Sequence, residues 1–108
     1  MKYLMEQAEF ETLIGRGEYP NAEVPYFTIV YFTATWCGAC RSIDLNSLTT
    51  TFPTINWLKC DVDQNQYTPG YCAIRSIPTF LAIKNKKIID RLQSNDTDVI
   101  EKWVMNLD

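Results

Sequence analysis

Apolar and polar positions alternate along this chain in blocks, and the spacing within each block predicts its element. Lys2 to Leu4 is a short strand. From Glu6 to Ile14, the residues Phe10, Leu13 and Ile14 fall on one face at helical spacing, and Gly15 and Gly17 end the helix. The polar stretch through Pro20, Asn21 and Pro25 is a loop. Tyr26 to Thr33 is almost continuously apolar, with Phe27, Ile29, Val30, Tyr31 and Phe32. Such a β-branched and aromatic run predicts a central parallel strand covered on both faces. One helix is expected from Trp36 to about Phe52, with Ile43, Leu45 and Leu48 toward the core and Pro53 as its stop. Ile55 to Val62 is the next apolar strand, and Asn65 to Ala73 a weak helix interrupted by Pro69 and Gly70. Thr79 to Lys84 and Lys87 to Leu92 flank a polar turn at Asn85-Lys86, which predicts an antiparallel hairpin. Asp96 to Leu107 closes the chain as an amphipathic helix. Val99, Ile100, Trp103, Val104 and Leu107 share its inner face, and Asp96 or Thr97 is its N-cap. The order β-α-β-α-β-α-β-β-α defines an α/β fold, a mixed central sheet with helices on both faces. At 108 residues the chain fits a single domain spanning 1–108.

Composition narrows the function. Ten lysines and arginines against thirteen acids give a net charge of −3, and the cations are scattered. No basic stripe follows a phosphate backbone, which argues against nucleic acid as a partner. The apolar runs fall far short of the ~20 residues a membrane span needs. Glu6 and Glu9 stand where a signal peptide would carry its apolar stretch, so a reducing, cytoplasmic location is expected. There are four cysteines, Cys37, Cys40, Cys60 and Cys72. In a reducing compartment a close cysteine pair is more often catalytic or metal-binding than structural.

Cys37-Gly38-Ala39-Cys40 lies where a buried strand hands over to a helix. Free backbone N–H groups and the helix dipole favour an anion at such a terminus. Here the anion is the Cys37 thiolate, the form that attacks disulfides. Cys40, three residues on, faces back across the first turn and can resolve a mixed disulfide. Gly38 keeps the turn open and leaves room for a substrate backbone. Two other readings compete. Zinc wants four ligands, usually two close pairs, whereas Cys60 and Cys72 are twelve positions apart and the chain has no histidine. A purely structural disulfide closing so short a loop would restrict the unfolded chain little. Exchange chemistry is the favoured reading, and it needs no cofactor.

Three segments carry a family resemblance. Ala34-Thr35-Trp36-Cys37-Gly38-Ala39-Cys40 resembles the active-site segment of thioredoxins, Lys59-Cys60-Asp61-Val62-Asp63 the end of their third strand, and Ile74-Arg75-Ser76-Ile77-Pro78-Thr79-Phe80 their cis-proline segment. The resemblance runs from about Tyr26 to Leu107. It implies a thioredoxin-like fold and a protein-disulfide reductase, mainly monomeric, that acts on disulfide-containing proteins and is recharged by a flavin-dependent thioredoxin reductase. It also implies that Pro78 is cis and lies against the cysteine pair, turning the Ile77 backbone toward a substrate strand. Trp36, Gly38 and Ala39 complete the substrate-docking face.

The chain departs from that family in four places. Ala39 replaces the usual proline between the cysteines. Tyr31 stands where the family keeps a buried acid, and a tyrosine titrating near ~10 is a poor base at neutral pH. Lys59, the acid's usual partner, is then left without it. Leu45 replaces a kinking proline, which predicts a straighter helix, with Asp44 beside it of no assigned use. Gln93-Ser94-Asn95 replaces a glycine loop beside the site. Cys60 is expected to be an inert core thiol, whereas Cys72, near Pro69-Gly70, is expected to be nearer the surface. A glutaredoxin is disfavoured because no diglycine follows the last strands. A thioredoxin-fold binding module or adaptor with low redox turnover is the other reading, since fold alone does not fix function.

Overall fold

The computed structural model describes residues 1–107. Its elements, in order, are β1 (Lys2–Tyr3), α1 (Gln7–Leu13), β2 (Phe27–Thr33), a 3-10 turn (Ala39–Ser42), α2 (Leu45–Thr51), β3 (Asn56–Asp61), α3 (Tyr67–Tyr71), β4 (Thr79–Lys84), β5 (Lys87–Gln93) and α4 (Thr97–Met105). Five strands form one sheet in the order β1-β3-β2-β4-β5. β1 and β2 run parallel to β3, while β4 is antiparallel to β2 and to β5. The sheet is therefore mixed, and β2 is its central strand.

Alternation along β2 divides the core in two. Ile29 and Tyr31 point to one face and pack in a cluster with Leu48 of α2, Phe80 of β4, and Ile100 and Val104 of α4. Val30 and Phe32 point to the other, with Leu4, Phe10 and Leu13 of the N-terminal segment, Leu58 and Leu81. Both faces are covered, which is why β2 reads as a continuous apolar run. At the end of α1, Gly15 and Gly17 take φ of +72° and +86°, a region open to glycine at little cost. Asn85 and Lys86 also have positive φ, the pairing that suits a two-residue hairpin.

The structure corrects three expectations. The helix after the cysteine pair is not straight or single. It is a 3-10 turn, then an extended residue, Ile43 (φ −83°, ψ 126°), then α2. The break comes from Asp44, whose carboxylate accepts from the Ser47 N–H at 3.0 Å and so starts a new helix as its N-cap. The Asp44 N–H donates to the Thr97 hydroxyl at 2.9 Å, tying the break to α4. Val99 is exposed rather than on the inner face of α4; Ile100, Val104 and Leu107 form that face, with Trp103 half-buried. Cys72 is buried, not near the surface, because α3 lays it into the cluster that holds Cys60.

Candidate active site

The chain leaves β2 at Thr33 and turns at once, with the Cys37 N–H donating to the Ala34 carbonyl at 3.1 Å. Cys37 and Cys40 are joined in a disulfide, with their Cα atoms 5.4 Å apart. Residue exposure does not separate them, at 5% and 8%. Hydrogen bonding does: the Cys40 N–H lies 3.2 Å from the Cys37 sulfur, and no corresponding donor faces Cys40 Sγ among the described residues. A single turn of 3-10 helix supplies little dipole. The group that favours negative charge on Cys37 is therefore this one aimed N–H.

Three hollows surround the disulfide, and between them they hold six of the seven residues expected from the sequence. Cys37 and Cys40 line a cavity of about 270 Å³ behind the pair, together with Tyr31, Arg41 and Lys59. Trp36 and Ile77 line a groove of about 320 Å³ with Val62, Pro69, Ile74 and Arg75. Ala39, Ile77 and Pro78 line the third, about 280 Å³, whose far wall is Gln93, Ser94 and Asn95. The Ile77–Pro78 bond is cis. Gly38 stands apart with helical backbone angles, so the turn does not require a glycine. Its α-carbon faces open space, where an added Cβ would meet nothing within 4 Å.

Trp36 is 66% exposed, an unusual setting for so large an apolar ring, so it is not a core residue. Its indole N–H donates to the Asp63 carboxylate at 2.8 Å and holds the ring over the groove. Asp63 has no role in the sequence reading, yet the topology contains the signal. Thr33 pairs with Asp61 in parallel register, so the residues just beyond both strand ends meet. Asp63 is itself held by its N–H, which donates to Asp61 at 2.9 Å. Ser42 was also missed; its hydroxyl bridges the Ala39 and Asn95 carbonyls, each at 3.0 Å, and closes the Gln93–Asn95 wall against the 3-10 turn.

Tyr31 is buried and stacks on Phe80 with ring centroids 4.9 Å apart. Burial pushes its hydroxyl above the ordinary tyrosine range, and the Thr33 side chain pulls partly back. It offers no base near neutral pH. Lys59 is not left without a partner: its ammonium sits over the Tyr3 ring, 5.5 Å from the centroid. Cys60 and Cys72 are raised by burial to about 12 and about 11, which keeps both as neutral thiols. Among the described residues no group of three or more histidine, cysteine or acidic side chains is placed to hold a metal ion.

A Cys-x-x-Cys pair that closes a disulfide at the end of the central strand of such a sheet is the arrangement thiol–disulfide exchange needs. The thioredoxin family model matches residues 5–106. Thioredoxin-3, mitochondrial, of Saccharomyces cerevisiae is 30% identical over 106 residues, which is 96% of this chain and 77% of that protein. A thioredoxin H-type of Ricinus communis is 36% identical over 78 residues, 70% of this chain and 66% of that protein, just under two thirds of its length. The crystal structure of oxidised mitochondrial thioredoxin 3 from S. cerevisiae superposes with a TM-score of 0.84 at 27% identity, covering 99% of this chain and 95% of that one. The chain belongs to the thioredoxin family.

Proposed function

We propose that this protein reduces disulfide bonds in other proteins, with Cys37 attacking and Cys40 resolving. The observation that carries the reading is the Cys40 N–H aimed at the Cys37 sulfur, which stabilises a thiolate there and nowhere else in the pair. The Cys37 thiolate attacks one sulfur of the substrate, a mixed disulfide forms, and the first substrate thiolate leaves. Cys40, as thiolate, then attacks Cys37 Sγ, the second substrate thiolate leaves, and the Cys37–Cys40 disulfide closes. Two electrons have passed to the substrate, and no cofactor takes part. A thioredoxin reductase must return them.

Trp36, Ile77 and Pro78, beside the two hollows that flank the pair, form the docking face, with Gly38 and Ala39 at its edge. The open space over Gly38 supports a close approach by a substrate backbone. We read residues 1–108 as one domain, mainly monomeric, working in a reducing compartment and most simply the cytoplasm. The relative named as mitochondrial makes cell fractionation the check on the last point.

Insulin reduction, followed by precipitation of the freed B chain, tests the function with and without a thioredoxin reductase and NADPH. Turnover that depends on reductase, and is lost in Cys37→Ser, is expected. Binding of partners with no more turnover than Cys37→Ser would leave the adaptor reading instead.

A further inference from the structure

The chain as a whole is acidic, yet the charged residues that line the hollows around the dithiol are all cations. The groove under Trp36 carries Arg75, the cavity behind the pair carries Arg41 and Lys59, and the hollow on the far side of Ser76 carries Arg75 and Arg91. No aspartate or glutamate lines any of them, nor the hollow over Ala39 and Pro78. The nearby acids Asp63, Asp61 and Asp44 accept hydrogen bonds from the Trp36 indole, the Asp63 N–H and the Ser47 N–H and keep their charge, but none of them lines these hollows. Of the four cations, Lys59 lies over Tyr3 and Arg91 reaches the Ala73 carbonyl at 3.5 Å. Arg41 and Arg75 are both exposed, with no hydrogen bond or ion pair from either guanidinium among the described residues; of the two, Arg75 is the one on the wall of the Trp36 groove.

We propose that Arg75 selects substrates, favouring proteins that carry an acidic side chain beside the disulfide cysteine. The inference rests on the reading of Cys37–Cys40 as a disulfide-exchange site and adds the chemistry of what docks there. The rest of the groove (Trp36, Val62, Pro69, Ile74 and Ile77) is apolar and will accept many side chains, so it discriminates weakly by itself. A lone unpaired guanidinium on its wall supplies direction: it attracts a carboxylate and repels a lysine. Arg41, Lys59 and Arg91 add a field of the same sign around the site, which steers an acidic partner toward it.

Two synthetic peptides with the same intramolecular disulfide test this, one with aspartates flanking the cysteine and one with lysines. The readout is kcat/KM of the reduced protein at low and at high salt. The acidic peptide is expected to be favoured by about twofold to fivefold at low salt, the range of a surface ion pair. High salt should shrink the ratio toward one. Arg75→Ala should lower the ratio, and Arg75→Glu should lower it further, with Arg41, Lys59 and Arg91 still in place. Equal reduction of both peptides by the wild type, or a preference untouched by Arg75→Glu, would overturn the assignment. Reduction of neither peptide would overturn the reductase reading and this inference with it.

Discussion

At the scale of single residues, the four cysteines share a side chain and differ in surroundings: Cys37 sits in the turn after β2, Cys40 in the 3-10 turn, Cys60 in β3 and Cys72 at the end of α3. Cys37 receives an N–H at 3.2 Å; Cys60 has 0% exposure, is packed in the second core, and donates one weak thiol bond to the Asn65 carbonyl, at 3.8 Å. The thiolate is the reactive form, so the ranking of reactivities follows the ranking of anion stabilisation and access. With the protein reduced and brief alkylation near pH 7, Cys37 should label first and Cys40 after it. Cys60 and Cys72 should stay unlabelled until denaturant is added. Peptide mapping by mass spectrometry reads all four at once, and early labelling of Cys40 would reverse the roles assigned above. The pair itself was legible in the sequence, because its spacing and its place after a buried strand need no tertiary knowledge. Residues that serve the pair were less so. Asp63 supports Trp36 across two strands, and that contact depends on register, which no local pattern carries.

At the scale of elements, the strands were readable and the helix after the pair was not. β2 and β3 fall within one or two residues of their expected ends, since burial on both faces leaves an apolar run that few other structures permit. The hairpin of β4 and β5 likewise follows from its two-residue polar turn. In the segment from Trp36 to Phe52, Cys40 and Ile43 are three apart on one side of the break and Leu45 and Leu48 three apart on the other, so local spacing reports one helix. The signal against it was Asp44 with Ser47 three residues on, a cap inside an apparent helix. Asp44 does two jobs, capping α2 through its carboxylate and reaching Thr97 through its N–H. Asp44→Ala should lower stability by about 1 kcal/mol, the usual cost of losing an N-cap. Thr97→Val removes the acceptor for the backbone donor. Because the Asp44 N–H survives in Asp44→Ala, the two losses should be nearly additive. Urea melts of both variants and the double mutant measure this. A double mutant no less stable than the worse single variant would show that cap and tether act as one unit.

At the scale of the whole molecule, the two cores on either face of the sheet do different work. One, with α2 and α4, backs the dithiol and contains Cys37, Cys40 and Tyr31. The other, with α1, holds Cys60 and Cys72 and contains neither cysteine of the disulfide. That Cys72 belongs to it was not legible, because a five-residue helix containing proline and glycine has too weak a pattern to show which side it buries. This second core makes stability depend on alkaline pH, with a sign that follows from burial. Both thiols are raised in the folded protein, to about 12 and about 11, whereas in the unfolded chain they titrate near the ordinary value of about 8.5. Between those limits the folded state holds protons that the unfolded state releases, so stability falls as pH rises. Their contribution is complete below about pH 8.5 and is lost on the way to pH 11–12, at up to about 1.4 kcal/mol per pH unit for each thiol. Tyr31 is also raised by burial and adds to the fall from about pH 10 upward. The diagnostic quantity is the difference between proteins and not the fall alone. Urea midpoints of the oxidised wild type should drop from pH 8 to 10.5, and Cys72→Ala should drop less steeply over the same interval. Cys72→Ala also leaves a small void and starts from a lower midpoint, which does not affect the slope. A variant whose slope matches the wild type would mean that Cys72 ionises as readily in the folded core as in the open chain, and its burial would then have no consequence for pH.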